Sequence, residues 1–169
     1  RHAYSDAFGQ AIWDNIPVEM GEIKQIEVVK GPNTALFGFN AVSGVINIIT
    51  YNPLYDDVNS VRVSGGSHGF YEGSGVINQK ITEDTAVRLS AGAYRVSDDF
   101  DDIEQAFEDA TPSDMDRTPY RDSVSIDLWS QLSDNVQGQF EFTRNDASRN
   151  EALITNAQSQ SDYEYMSAR

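Results

Sequence analysis

From Pro53 onward the chain alternates apolar and polar residues with a period of two, in four separate stretches. Val61 and Val63 alternate with Ser60, Arg62 and Ser64. Val87, Leu89, Ala91 and Ala93 alternate with Arg88, Ser90, Gly92 and Tyr94. Val124, Ile126 and Leu128 alternate with Ser123, Ser125, Asp127 and Trp129, and Val136, Gly138, Phe140 and Phe142 with Gln137, Gln139, Glu141 and Thr143. Side chains on a strand point to opposite faces in turn, so this spacing specifies strands with one apolar and one polar face and does not suit a helix.

The connections alternate as well. Thr82-Glu83-Asp84 and Ser133-Asp134-Asn135 read as tight turns, whereas the stretches from about Ser97 to Arg121 and from about Ala147 to Ser161 are long. Transmembrane barrels join their strands by short turns on one side of the membrane and longer loops on the other. On that reading the strands span about 58–66, 70–81, 84–96, 121–132 and 136–146, with a sixth beginning near Asp162. Each has room for the roughly 9–11 residues that cross a bilayer at a tilt. A soluble antiparallel sheet with one face on a core alternates in the same way, and periodicity leaves both open.

Charge and composition narrow the field. The formal net charge is −15, which disfavours nucleic acid as a partner. Between Ser97 and Tyr120 nine carboxylates face one base, Arg117, so over half of that charge belongs to one loop. Its densest part, Asp98-Asp99-Phe100-Asp101-Asp102-Ile103-Glu104, invites Ca²⁺ but lacks the spacing of an EF-hand, and a solvated acidic loop is the default reading. With no Cys the chain has no disulfide and no thiolate metal site, and His2 and His68 have no second ligand beside them. No cofactor is expected. No run of 18 apolar residues is present, which excludes a transmembrane helix and leaves a membrane barrel untouched.

Residues 1 to 52 have a different texture. Ile26-Glu27-Val28-Val29 and Val45-Ile46-Asn47-Ile48-Ile49 are short, nearly continuous apolar runs, as expected of strands buried on both faces. Asn33 and Gly38 frame about one helical turn between them.

The stretch Ile23-Lys24-Gln25-Ile26-Glu27-Val28-Val29-Lys30-Gly31-Pro32, then Asn33-Thr34-Ala35-Leu36-Phe37-Gly38, then Asn40-Ala41-Val42-Ser43-Gly44-Val45-Ile46-Asn47-Ile48-Ile49-Thr50, resembles the end of the plug domain of TonB-dependent outer-membrane receptors. Trp13-Asp14-Asn15-Ile16-Pro17 also resembles a segment found ahead of this motif in one branch of the family. The chain departs from the family pattern at Lys30 (usually Arg), Phe37 (usually Tyr) and Ser43 (often Gly). The resemblance covers residues 4–52; the remainder agrees by pattern and position.

The resemblance implies a mainly β protein. Residues 1–52 are the end of a small α+β plug, and 53–169 are the first six or so strands of a transmembrane antiparallel β-barrel. It implies a piece of a longer receptor in the Gram-negative outer membrane, in contact with lipid and lipopolysaccharide. Such a receptor takes up a small extracellular ligand, foremost an iron–siderophore chelate, with cobalamin, haem or an oligosaccharide as alternatives. The TonB–ExbB–ExbD inner-membrane complex would act on it through a segment upstream of residue 1. The motif residues are Ile26, Glu27, Val28, Lys30, Gly31, Pro32, Gly38, Gly44 and Asn47, and the turn at Phe37, Phe39 and Asn40 is the candidate ligand-facing apex. Glu27 and Lys30 are candidates for ion pairs between plug and wall, and Trp129, Phe140, Phe142 and Tyr120 for aromatic girdles.

A passive barrel or adhesion protein is the alternative of another class, and the plug-like motif counts against it. An enzyme is not expected. Gly65-Gly66-Ser67-His68-Gly69 fits the G-x-S-x-G pattern of a hydrolase elbow, but the elbow requires a helix next and Phe70-Tyr71-Glu72-Gly73-Ser74-Gly75-Val76 reads as strand.

Overall fold

The computed structural model describes residues 4–5, 10–11, 13, 16–32, 37–38, 41, 43–97, 118–152 and 158–168. Ten strands lie among them: β1 (Tyr4–Ser5), β2 (Gln10–Ala11), β3 (Ile23–Lys30), β4 (Gly44–Thr50), β5 (Ser60–Gly65), β6 (Tyr71–Lys80), β7 (Thr85–Arg95), β8 (Tyr120–Ser133), β9 (Val136–Ala152) and β10 (Gln158–Ala168). A 3-10 helix, Met20–Glu22, precedes β3.

β3 and β4 form an antiparallel ribbon that pairs Ile26 with Ile48, Val28 with Ile46 and Lys30 with Gly44. Two glycines make its closed end. Gly31 has φ +101, a left-handed conformation that its N–H uses to reach Ser43 O at 3.0 Å. A Cβ on Gly44 would lie 2.6 Å from Val29 O, so no larger residue fits without moving the partner strand. The expectation that this ribbon is buried on both faces is corrected: Ile26, Val28, Val29 and Ile46 are exposed. Among the described residues each of the two strands has one ladder partner, and a two-stranded ribbon cannot cover its own faces.

β5 to β10 form one sheet in the order β10-β9-β8-β7-β6-β5, every neighbour antiparallel and adjacent in the chain. β5 to β8 fall within two residues of their expected bounds at each end. The expected long connection from 147 to 161 is corrected, because β9 continues to Ala152 and β10 begins at Gln158, paired in register across the hairpin. Asn145-Asp146-Ala147-Ser148-Arg149-Asn150-Glu151 is polar at odd and even positions alike, so no alternation marks it as strand.

The two faces of this sheet are the reverse of those of a soluble one. Val61 is 86% exposed, Leu89 46% and Phe140 50%, while on the opposite face Asp127 is 1% and Asn145 0% exposed. Rows of polar residues cross the strands on the buried side: Asn78, Arg88, Asp127 and Glu141 form one, and Ser90, Ser125 and Thr143 continue from Val76 in the next. A soluble antiparallel sheet buries its apolar face and solvates the polar one. The one-sided-core alternative fails here, on the face it needs covered.

Candidate functional site

What covers the polar face is the N-terminal segment. The 3-10 helix and the turn after β4 lie on it, close enough that a Cβ on Gly21 would collide with Ser60 and press on Val76. Asn52 shapes that turn: its Oδ1 accepts from Leu54 N at 2.9 Å, its own N–H donates to Asp56 Oδ2 at 2.9 Å, and Pro53 and Leu54 are buried. Asn59 Oδ1 then accepts the Asn78 N–H at 2.9 Å, extending the ladder of β6 beyond the end of β5, while Asn78 Nδ2 donates to Asp56 O at 3.1 Å.

Two carboxylates of the helix region enter the sheet's polar face. Glu19 accepts from Arg121 Nη2 at 2.9 Å and from the Ser123 hydroxyl. Arg121 is held in turn by Asn145 Oδ1 at 3.1 Å and reaches Ile16 O at 3.3 Å. Glu19 fits there because Gly92 has no side chain; a Cβ at that position would overlap the carboxylate.

Glu22 lies further along the same face. Arg88 Nη2 is 3.3 Å from Glu22 Oε2 and 2.7 Å from Asp127 Oδ2, Nε donates to Asp127 Oδ2 at 3.1 Å, and Nη1 donates to Tyr51 O at 2.6 Å. One planar guanidinium thus joins the helix, the end of β4 and the wall formed by β7 and β8, a task its fixed fork suits better than an ammonium. The backbone ties the same parts: Glu19 N donates to Glu22 Oε1 at 3.0 Å and Tyr51 N to Glu22 O at 2.9 Å.

Buried charges are tolerated only when paired and hydrogen-bonded. Burial pushes the Glu22 carboxyl above its ordinary 4.5; Arg88, the Glu19 N–H and Ser90 oppose the rise without cancelling it, and Asp127 adds to it. Asp56, at the surface, moves the other way. The Asn52 N–H, helped by Lys24 Nζ at 3.0 Å, holds it below its ordinary 3.8.

The residues singled out from sequence are placed differently. Glu27 accepts from Gln25 Nε2 at 2.9 Å and from its cross-strand partner Asn47 at 3.1 Å, so its described contacts lie within the ribbon. Lys30 stands exposed opposite Gly44, Ile26 and Val28 are exposed, and so is Pro32. Gly38 has φ +89, and Phe37 beside it is exposed, whereas Phe39, Asn40 and Asn33 lie outside the described residues. Trp13, in the segment that resembles one ahead of the motif, is exposed. Phe140, Phe142 and Tyr120 share the outward parity of Val124 and Ile126, but Trp129 shares that of Asp127 and lies on the covered face. Ser67 and His68 sit in the turn between β5 and β6 and the next element is a strand, so the elbow pattern is a hairpin turn. The acidic stretch 98–117 lies outside the described residues; among these, no group of three His, Cys, Asp or Glu is placed to hold a metal.

Sequence reading missed Glu19, Glu22 and Arg121 and took Arg88 and Asp127 as ordinary polar alternates. The available signal was their company: Arg88 and Asp127 are full charges at the middle of strands whose polar positions are otherwise mostly Ser, Gly and Thr.

The chain is mainly β, and its large sheet leaves the apolar face open while the N-terminal segment covers the polar one. Parts of it are similar to curated proteins. Over 73 residues the chain is 38% identical to the vitamin B12 transporter BtuB of Photobacterium profundum, covering 43% of this chain and 12% of the relative. It is 32% identical over 97 residues to the vitamin B12 transporter BtuB of Vibrio vulnificus, covering 57% of this chain and 16% of the relative. It is 37% identical over 75 residues to the catecholate siderophore receptor Fiu of Escherichia coli, covering 44% and 10%. The chain therefore spans less than a fifth of the length of these relatives, which are named as transporters and a receptor. No family model and no solved structure matches it.

Proposed function

We propose that this chain is the plug–barrel junction of a TonB-dependent outer-membrane receptor, a protein that imports a scarce nutrient. The observation that carries the proposal is the inverted sheet. An apolar face left open over β5 to β9 suits hydrocarbon, and a polar face lined by Arg88, Asp127, Ser125, Thr143 and Asn145 suits a lumen filled by polar protein. Residues 16–59 supply that filling at the points where Glu19 and Glu22 enter the wall.

The ribbon β3–β4 is, on this reading, part of the plug sheet, and its exposed residues Ile26, Val28 and Ile46 face further parts of the receptor. Tight turns at 81–84 and 134–135 face the periplasm, and the opposite ends of β7 and β8 face outward. An inner-membrane TonB complex working on a segment before residue 1 would pull against the contacts of Glu19 and Glu22.

The relatives include vitamin B12 transporters and a catecholate siderophore receptor, which supports uptake of a metal chelate as the general activity. An iron–siderophore is the leading substrate and cobalamin the second. Deleting the gene that encodes this chain and measuring uptake of labelled ferric catecholate and of labelled cobalamin tests the reading. Loss of one of them, equalled in the intact strain by collapsing the proton-motive force, is the expected result. Uptake of both at undiminished rates would refute the assignment of these substrates.

A further inference from the structure

Glu19 occupies a receptacle built by three strands. From β8, Arg121 Nη2 donates to its Oε1 at 2.9 Å and the Ser123 hydroxyl donates to the same oxygen. In β7, Gly92 has no side chain, and the carboxylate fills the space a Cβ would take. Behind these groups Asn145 of β9, fully buried, accepts from Arg121 Nε at 3.1 Å and is the ladder partner of Ser123. The Ser123 hydroxyl oxygen also lies 3.3 Å from Gly92 O. The wall itself therefore fixes both donors, through Asn145 and Gly92, before Glu19 is counted.

When Glu19 lifts away, Arg121 keeps its charge in a place where its side chain is only 14% exposed. A largely buried charge that loses its partner is strongly destabilising, and it calls for another anion. Among the described residues no second carboxylate is placed to take over. Glu72 stands in the same row, but Tyr94 lies between it and Arg121 across the two ladders. Asp122 and Asp146 belong to the opposite face, with Asp122 paired to Arg95. Glu22 and Asp127 are both engaged by Arg88.

We propose that the receptacle formed by Arg121, Ser123 and Gly92 is a carboxylate-binding site, filled by Glu19 while residues 16–22 are seated and open to a free carboxylate once Glu19 has left. A guanidinium N–H, a hydroxyl and a clear space of carboxylate width recognise the same chemistry whether it arrives on the chain or in solution. Glu19 is the site's intramolecular occupant and competes with any other carboxylate for it. In a receptor that shares its lumen between this segment and a ligand, a carboxyl group of the ligand would replace Glu19 on the wall and offset the cost of unseating. That use of the site rests on the function proposed above; the site itself rests on the seating alone.

The test empties the site in the full-length protein and offers it formate or acetate, with chloride at equal ionic strength as the control. Glu19→Gly is expected to unfold more readily than the wild type and to regain stability as formate is added. That recovery should saturate, shifting the unfolding equilibrium about tenfold at roughly ten times the half-saturating concentration. Glu19→Gly combined with Arg121→Gln, which lacks the guanidinium, should gain nothing from formate, nor should the wild type, whose site is filled. No recovery in Glu19→Gly, or an equal gain in all three proteins, overturns the proposal. Should Glu19→Gly fail to fold unaided, its refolding yield with and without formate decides the matter in the same way. These readouts are independent of transport, so a failure of the import reading would appear in the uptake experiment and leave this result standing.

Discussion

Arg88 contacts Glu22, Asp127 and Tyr51 O at once, and each partner comes from a different part of the chain. Replacing it with Met leaves two buried carboxylates without their counter-charge, a loss of about 3–5 kcal/mol for a broken buried pair. Denaturant unfolding of the receptor, with hydrogen exchange localising the loss to residues 16–22 and 51, checks this. Arg88→Lys restores charge without the fork and is expected to recover only part of it. Gly92→Ala acts from the other side by placing a methyl where the Glu19 carboxylate sits. Overpacking of this kind costs about 1–3 kcal/mol, and the cost should fall when Glu19→Ala is added, because the two residues share one space. Asp56 sets a pH dependence of its own. Its carboxyl is held below 3.8, so its contribution to the turn at 52–56 is present above that value and is lost as pH falls through the depressed one. Asp56→Asn should therefore loosen this turn at neutral pH and change nothing in strong acid, as backbone exchange at Asn52 and Leu54 would report. None of these partnerships was legible in the sequence. Glu19 and Glu22 precede the recognisable motif in a stretch without periodicity, and their partners lie some 66 to 104 positions away.

Among the elements, β5, β7 and β8 were legible almost to the residue, because in each one face is apolar and the other polar, and β6 was legible from the connections on either side of it. β9 was not: beyond Arg144 both faces are polar, and a strand that continues past the apolar band loses the alternation that identifies it. The ribbon β3–β4 was legible as strand and misjudged in burial, since a continuous apolar run states that both faces will be covered and not what covers them. The outward band makes a depth-graded prediction. Ile126→Arg, in the middle of β8, should destabilise the receptor in its membrane by about 2–4 kcal/mol, and Val136→Arg, beside the two-residue turn at 134–135, by about 0–1 kcal/mol. Thermal unfolding in lipid measures both, and equal effects at the two depths would contradict a membrane-spanning sheet.

At the scale of the molecule, the proposed membrane setting and the inverted sheet account for each other: among the described residues the apolar face is left open, while residues 16–59 cover the polar one. The absence of cysteine makes both faces open to single-site labelling. The most direct test attaches a spin label to a cysteine placed at Leu89 or Ile126 on one face, and at Ser90 or Ser125 on the other, in the receptor embedded in bilayers. Leu89 and Ile126 labels should relax with oxygen dissolved in the lipid and ignore a water-soluble nickel chelate. Labels at Ser90 and Ser125 should be shielded from both. Labels at Leu89 and Ile126 that respond to the chelate and not to lipid-borne oxygen would contradict the account.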